Sequence, residues 1–437
     1  MKKVVLFISL MACFYSMTAQ TEKQRVSLNL EQLFDLAELN NRSLRISDFA
    51  VRNAQQSIKV AKNAQLPSVA ISLSASYLGD VWLSDRDFRN VQTCSMPHFG
   101  NNFSFEATQV IYAGGAIKNA IESAKLQWQA ALLEKEMTRQ NVRFLLVGNY
   151  LELFKLENQE EVYAINIEQT RKLVSEIQNK QKEGLALRND ITRYELQLQS
   201  LEMALTQVRN GIKIINNKMV VLIGLPDGTS IEVDKNILEQ IPELTDENYW
   251  QNMATDISPS IHLAKVRKDQ ALRKEKVVGA DRLPSLALFA ADKMDGPITV
   301  EVPPIDKNLN YWYVGVGLKY NLASLYTTNK SVEKTKIETR MTVENEALVQ
   351  EDLRMEINEA HTKFVESFSL LQTRMKSLEL ATQNYEVVNN RYMNDLALIT
   401  DMLDASNAKL EAELLMANAR INILFNYYNL KRISGNL

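Results

Sequence analysis

The chain has 437 residues, a formal net charge of −3 and 46% hydrophobic residues, a composition that excludes a mainly disordered protein. It contains only 14 glycines and 9 prolines, too few for many short elements joined by turns, so long elements are expected. Lysines and glutamates are interspersed, and we therefore expect no basic face for nucleic acid.

Residues 1–19 have the features of a secretory signal peptide. Lys2 and Lys3 precede an apolar run from Val4 to Ala12, which is too short to cross a bilayer. Ala19 supplies the small residue that signal peptidases require at the cleavage point. The sequence therefore predicts an exported protein.

The mature chain then comprises residues 20–437. An alternative is lipoprotein processing before Cys13, which would leave that cysteine lipidated as the mature terminus. Because the mature chain has no run of about eighteen apolar residues, it is not expected to contain a transmembrane helix. These features predict a location in the periplasm, in the outer membrane or outside the cell.

Four segments alternate apolar with small or polar residues, the period-two pattern of strands. They lie at about 66–78, 102–112, 283–292 and 311–322. The apolar face includes aromatic residues such as Tyr77, Trp312 and Tyr320, which suits a bilayer. One chain cannot close a membrane barrel, which needs about eight strands, whereas three chains supply about twelve. A small soluble sheet that caps the helices is the alternative.

Very long helical stretches surround these strands. From Ala116 to Glu183 there is one glycine and no proline, and from Leu318 to Ser434 there is neither. Helices of about 65 residues are about 100 Å long and must pack on other helices along their length. An apolar stripe repeats every seven residues, at Ile191, Leu198, Leu205, Ile212 and Met219 and three residues after each. This period is typical of a left-handed coiled coil.

The heptapeptide GLALRND at Gly184–Asp190 returns as DLALITD at Asp395–Asp401, at the same point of each helical pattern. This repetition predicts a tandem duplication. Repeat one spans residues 28–226 and repeat two spans 245–437, with helical hairpin tips at about 183–190 and 394–401. In the tips, Gly184 can take the left-handed conformation that ends a helix, and Asn394 with Asp395 takes its place in the second copy.

The order of helix, strand pair, very long helix, tip and heptad helix, repeated after a secretory signal, resembles the TolC-like outer-membrane efflux protein family. The strings that resemble it are LPSVAISLSASY, LPSLALF, QVIYAGGAIKNAIESAK, GLALRNDI and DLALITDMLDA. The likeness covers essentially the whole mature chain. It implies a mainly α fold with transmembrane β, in which duplicated long α-hairpins form a trimeric α-barrel. Four strands per chain would contribute to a shared 12-stranded outer-membrane β-barrel.

The resemblance also implies a function and partners. Members of this family are the outer-membrane factors of tripartite export systems, so the chain is expected to be a passive homotrimeric duct in the cell outer membrane. Substrates would come from an inner-membrane RND or ABC pump through a periplasmic adaptor (membrane fusion) protein. The helical barrel would extend into the periplasm, and the β-barrel would contact outer-membrane lipid. The alternatives are a duct for type I protein secretion and a periplasmic coiled-coil scaffold.

By the same resemblance, four residues match positions at the periplasmic aperture. Asp401 and Asp404 match an acidic pair that rings the entrance, and Asp190 and Tyr392 match residues that hold it shut. The alternative for Asp401 and Asp404 is a role as helix N-terminal caps only. Like charges around a narrow pore repel one another and attract cations, so a ring would make the entrance sensitive to bound cations.

The sequence departs from the family pattern in the network that closes the entrance. Asn189 and Ala397 occupy positions that are Thr and Arg in that network. Arg188 and Arg391 are the candidates to replace the missing interactions. How this chain holds its closed aperture is therefore open.

The tips are also the predicted contact with the adaptor, through Gly184, Leu185, Asp395 and Leu396; a plain interhelical turn is the alternative. No enzymatic activity, cofactor or metal site is expected. The three histidines, His98, His262 and His361, lie far apart in the sequence, and metal motifs, phosphate loops and nucleophile elbows are missing.

Overall fold

The computed structural model describes residues 25–234, 236, 242–394 and 396–437, and the signal peptide predicted at 1–19, with Cys13, lies outside these residues. The helices are α1 (Leu30–Asn40), α2 (Arg42–Lys62), α3 (Ala116–Lys182), α4 (Arg188–Ile223), α5 (Glu247–Ile257), α6 (Pro259–Gly279), α7 (Ser324–Met393) and α8 (Ile399–Ser434). The strands are β1 (Arg25–Leu28), β2 (Ser68–Tyr77), β3 (Val81–Leu83), β4 (Gln92–Cys94), β5 (Phe99–Ala113), β6 (Ser230–Val233), β7 (Ser285–Gly296) and β8 (Leu309–Lys319). The fold is mainly α, as predicted.

Within the described residues, no helix combines the length and the hydrophobicity that crossing a membrane requires.

The chain divides into two compact units. The helical unit comprises the described residues up to Asp48, together with Glu134–Ser260 and Gln350–Leu437. The sheet unit comprises Phe49–Leu133 and Ile261–Val349 and contains the four-stranded sheet.

The core of the helical unit joins apolar side chains of α1, α3, α4 and α8 to the strands β1 and β6. These two strands pair in parallel, with Leu28 opposite Val233. The Tyr150 hydroxyl on α3 donates to the Leu28 carbonyl at 2.9 Å and accepts from the Asp234 N–H at 2.8 Å. Burial raises the pKa of Tyr150 to about 12, so this hydroxyl remains protonated and links α3 to both strands at neutral pH.

The heptad stripe predicted at Ile191–Met219 forms the packed face of α4, and α8 has a stripe of the same spacing. The buried members are Tyr194, Leu201, Val208 and Met219 in α4, and Met402, Ala405, Ala412, Ala419, Ile423 and Leu430 in α8. Lys409 interrupts the stripe in α8. Its ammonium lies 4.7 Å from the centre of the Tyr385 ring and 3.6 Å from a carboxylate oxygen of Glu413. A ring and a carboxylate thus accommodate the one charged residue of the stripe.

The two halves of the chain form matching elements. Helices α4 and α8 each have 36 residues, and α3 and α7 have 67 and 70. Gly224 and Gly435 follow α4 and α8, and both have left-handed backbone conformations. A Cβ added at Gly224 would lie 2.6 Å from the Cβ of Asn40, so only glycine fits that helix end.

The sheet unit contains an antiparallel sheet of order β2-β5-β7-β8. The alternation placed its second and third strands at about 102–112 and 283–292, but β5 begins at Phe99 and β7 continues to Gly296. The extra length is paired, since Asn101 lies opposite Gly296. The fourth strand was expected at about 311–322 and runs from Leu309 to Lys319.

The alternating pattern predicts no strand between its first two segments, at about 66–78 and 102–112. The connection between β2 and β5 contains a short antiparallel hairpin of β3 and β4, in which Val81 lies opposite Cys94. Strands of three residues are too short to show a reliable alternation, which explains why the pattern missed them.

Candidate functional site

The first helical tip joins α3 to α4. Gly184 has φ +78°, and the N–H of Leu185 donates to the Lys180 carbonyl at 2.8 Å, which closes the end of α3. At the start of α4, the Asp190 carboxylate accepts from the Leu187 N–H at 3.0 Å. The Asp190 N–H donates to the Leu187 carbonyl, also at 3.0 Å. This reciprocal pair satisfies backbone groups that have no partner inside the helix.

The second tip, between α7 and α8, repeats this geometry without the glycine. The N–H of Leu396 donates to the Arg391 carbonyl at 2.8 Å, and the Asp401 carboxylate accepts from the Leu398 N–H at 3.1 Å. The Arg391 guanidinium also donates to the Leu396 carbonyl at 3.3 Å, so it binds its own tip. Asp395, a predicted adaptor contact, lies outside the described residues.

Asp190 and Asp401 are therefore matching N-terminal caps of α4 and α8. Within one chain, the structure thus gives Asp401 the capping role that was the alternative to an acidic ring. Asp401 and Asp404 are both exposed, one helical turn apart. Asn189 is exposed and Ala397 is half-buried. The role of Asp190, Tyr392, Asp401 and Asp404 in an aperture stays a prediction.

Each tip exposes two leucines. Leu185 and Leu187 are 65% and 71% exposed in the first tip, and Leu396 and Leu398 are 68% and 70% exposed in the second. Ala186, between the first two, packs inward against a buried cluster. Only the first leucine of each pair was predicted as a contact residue. The repeated string Leu-Ala-Leu, shared by both tips, was the signal that could have identified Leu187 and Leu398.

A shared apolar core lies beneath the two tips. Its buried members are Leu173, Val174, Ile177, Tyr194 and Met402, from α3, α4 and α8, and Tyr385 and Tyr392 of α7 pack against them. The ammonium of Lys180 lies 5.2 Å from the centre of the Tyr392 ring. Both hairpins therefore contribute to one cluster, so a movement of either tip must disturb it.

Tyr194 is the most enclosed polar residue of this cluster. It is 1% exposed, and its hydroxyl has no hydrogen-bond partner in the part of the chain that the structure describes. Burial raises the pKa of the Tyr194 phenol, and burial together with the nearby Glu176 raises that of Tyr385. Both phenols are therefore neutral at physiological pH.

His98 and His361 are engaged in structural contacts. The His98 ring stacks on Tyr77 with ring centroids 5.1 Å apart, and its Nδ1 lies 2.9 Å from the Leu78 carbonyl oxygen. The Nε2 of His361 lies 2.9 Å from the Thr245 carbonyl oxygen. Within the described residues, no three His, Cys, Asp or Glu side chains are grouped as metal ligands would be.

Comparison with known proteins finds similarity to outer-membrane proteins. Residues 33–225 match the family model "Outer membrane efflux protein". The chain is similar to the pyoverdine export outer membrane protein OpmQ of Pseudomonas putida, with 21% identity over 276 residues. The match covers 61% of this chain and 56% of OpmQ, so it spans little more than half of that protein's length.

Two solved structures illustrate the similarity of fold. The outer membrane protein VceC from Vibrio cholerae superimposes with a TM-score of 0.77 at 16% identity, covering 93% of this chain and 96% of VceC. The MtrE outer membrane channel of Neisseria gonorrhoeae, in its open state, gives a TM-score of 0.73 at 16% identity, covering 93% of this chain and 88% of MtrE. At such identities these likenesses establish the fold.

Proposed function

We propose that this chain, which belongs to the TolC-like outer membrane efflux protein family, is the outer-membrane exit duct of a tripartite efflux system. In this proposal a homotrimer forms a passive channel-tunnel. An inner-membrane RND or ABC pump supplies substrates through a periplasmic adaptor protein, and the duct releases them outside the cell. The β-barrel lies in the outer membrane, and the helices extend into the periplasm.

The observation that carries the proposal is the sheet that one chain leaves open. Strands β2 and β8 are its edges, and all ten residues of β2 are exposed. One face presents large apolar side chains to the surroundings, among them Val69, Ile71, Leu73, Trp312, Val314, Val316 and Leu318. Open sheet edges are not tolerated in hydrocarbon, whereas three copies joined edge to edge give about twelve strands without an edge.

The helical tips form the periplasmic entrance in this proposal. Threefold repetition of Asp401 and Asp404 would give rings of exposed carboxylates that attract cations and repel one another. Asp190 and Tyr392 would help to hold the entrance shut, because one caps α4 and the other packs on the cluster beneath both tips. Opening would then be a movement of the hairpin ends.

The adaptor contact is proposed at the same tips, through Gly184, Leu185 and Leu396, extended here to Leu187 and Leu398. Two exposed leucines in each tip, above a cluster to which both hairpins contribute, present the apolar side chains that a protein partner can bury. Efflux rather than type I protein secretion is favoured by the relative that is named for pyoverdine export.

Conductance measurements on the purified protein in planar bilayers test the duct and its gate together. We expect discrete conductance steps, and we expect Asp190→Ala and Tyr392→Ala to raise single-channel conductance by loosening the closed tips. Glu183→Ala is the matched control, because it removes an exposed carboxylate from the same tip without removing the helix cap. Absence of conductance contradicts the duct, and unchanged conductance in both variants places the closing contacts elsewhere.

A further inference from the structure

The register of the four-stranded sheet defines two faces of different chemistry. Residues that lie opposite each other in antiparallel strands point to the same side. Ile71, Phe105 and Trp312 therefore share the apolar face. The other face carries polar and small residues, in particular Ser72, Ser74, Asn102, Ser104, Glu106, Thr108, Lys293 and Asp295. A membrane barrel places its apolar face toward lipid and its polar face toward the lumen.

Three aromatic rings interrupt this polar face. Tyr311 and Tyr313 of β8 stack with an interplanar angle of 22° and centroids 6.4 Å apart. Phe289 of β7 meets Tyr313 edge to face at 6.0 Å. The Phe289 ring lies over Gly315, where an added Cβ would come within 2.7 Å of it. The glycine thus makes room for the ring, and the three aromatics form one continuous patch on the polar face.

Among the charged residues that the structure describes beside this patch, one negative charge is not compensated by a neighbouring cation. Lys293 pairs with Glu106 at 2.9 Å, which compensates one carboxylate. Asp295 accepts hydrogen bonds from the Asn102 amide and from the Tyr311 hydroxyl, but among the described residues it forms no ion pair. The patch therefore combines exposed π faces with one carboxylate that has no cationic partner. Both features attract cations.

We propose that this aromatic patch, defined by Phe289, Tyr311, Tyr313 and Asp295, is a binding site for planar aromatic organic cations inside the barrel. The π faces stack on the ligand and stabilise its charge, and Asp295 supplies the counter-charge. The inference rests on the proposed function, because the patch lines a lumen only if the barrel closes.

Barrel closure also leaves space for a ligand. Strand β8 would then pair with β2 of the next copy, the other edge of the same sheet. The polar face of β2 bears only the small residues Ser68, Ala70, Ser72, Ser74 and Ser76. A strand of small side chains beside the two tyrosines leaves their outer side uncovered, which gives a flat cation access to the rings.

The test is block of the conductance by ethidium, a planar aromatic cation, added on the side of the bilayer that the barrel mouth faces. Tetraethylammonium, a non-aromatic cation, and pyrenesulfonate, a planar aromatic anion, are the comparison probes. We expect ethidium to block at a concentration about tenfold lower than either comparison probe. The double variant Tyr311→Leu, Tyr313→Leu should raise the half-blocking concentration about tenfold, and Asp295→Asn should raise it severalfold.

Two further variants separate the site from general effects on folding. Tyr311→Phe with Tyr313→Phe keeps both π faces, and this pair should retain the block. Trp312→Leu removes an aromatic ring from the same strand but on the apolar face, and it should leave the block unchanged. Ethidium fluorescence anisotropy with the detergent-extracted protein should give the same order of affinities.

The inference is overturned if pyrenesulfonate blocks as well as ethidium, or if Trp312→Leu weakens the block as much as the double tyrosine variant. In both cases a conducting protein would leave the duct itself supported. A protein that forms no conducting assembly overturns the duct, and the lumenal site with it.

Discussion

The helical core and the four-stranded sheet differ in how far one chain buries its own apolar side chains. In the helical unit, Tyr150, Leu146 and Phe364 are fully buried by neighbours of the same chain. In the sheet, Ile71 and Leu73 are 68% and 79% exposed although they lie in regular, paired strands. The helical core is therefore stabilised by apolar burial within one chain, whereas the sheet needs lipid or further copies of the chain to cover its apolar face and its edges.

The stability that the helical unit gains from its own core is tested most strongly at its buried aromatic residues. Phe364 is fully buried, with ring centroids 5.1 Å from Phe368 and 6.1 Å from Tyr427. We expect Phe364→Ala to lower the free energy of unfolding by about 3–5 kcal/mol, because it leaves a cavity. Leu380→Ala, at an exposed position of the same helix, should cost less than about 0.5 kcal/mol. Denaturant unfolding followed by circular dichroism measures both, and equal losses would contradict a core confined to one chain.

Whether the apolar face of the sheet meets lipid is tested by substitutions at two neighbouring positions on opposite faces of β2. Ile71→Lys puts a charge on the apolar face and should disfavour insertion by about 2–4 kcal/mol if that face meets lipid near the bilayer centre. Ser72→Lys, on the polar face, should insert almost as well as the unmodified protein. The inserted fraction in lipid vesicles, measured by protease protection, gives the difference. Similar losses for both variants would argue against a lipid-facing sheet.

The two tips allow a smaller and more exact comparison. Because Asp190 and Asp401 cap equivalent helices in the same way, Asp190→Ala and Asp401→Ala should each destabilise the local first turn by about 1 kcal/mol. Amide hydrogen exchange there should accelerate about fivefold by local opening. Asp404→Ala, one turn further along, is the control and should have no such effect. Faster exchange at only one of the two tips would show that the two caps, although similar in geometry, do not stabilise their helices equally.

The smallest expected effect is a pH dependence from Tyr194. Burial holds the pKa of this phenol above its ordinary value of 10.0, so its contribution to stability is fully present below pH 10 and is lost as the pH rises toward the folded-state pKa. Between pH 10 and 10.5 the unmodified protein should lose about 0.4 kcal/mol more than Tyr194→Phe. Unfolding titrations at the two pH values measure this, and identical losses would indicate that Tyr194 titrates normally.

The sequence predicts the parts of the fold that have a clear period. The seven-residue repeat of α4 matches its buried stripe, and the alternation in β2 matches its exposed apolar row. The parallel pair of β1 and β6 was missed because four-residue strands show too little periodicity, and because their pairing joins residues far apart in the chain. No local pattern predicts the bridge that Tyr150 makes to both strands.

The site was predicted less completely than the fold. The repeated heptapeptide locates both tips and the capping aspartates, since these depend on local backbone geometry. It does not identify Tyr194, whose burial depends on packing between two hairpins. The alternation in β8 also does not predict that Tyr311 and Tyr313 stack on the polar face beside Asp295. The position of Asp295 next to these rings depends on the register between β7 and β8.

The proposed homotrimeric duct is tested most directly by the protein mass of the detergent-extracted species, measured by light scattering with the detergent contribution subtracted. We expect a mass near three times that of the mature chain, because the proposed barrel needs three four-stranded sheets to close. A monomer or dimer that stays in water without detergent would contradict it and would favour a periplasmic coiled-coil scaffold instead.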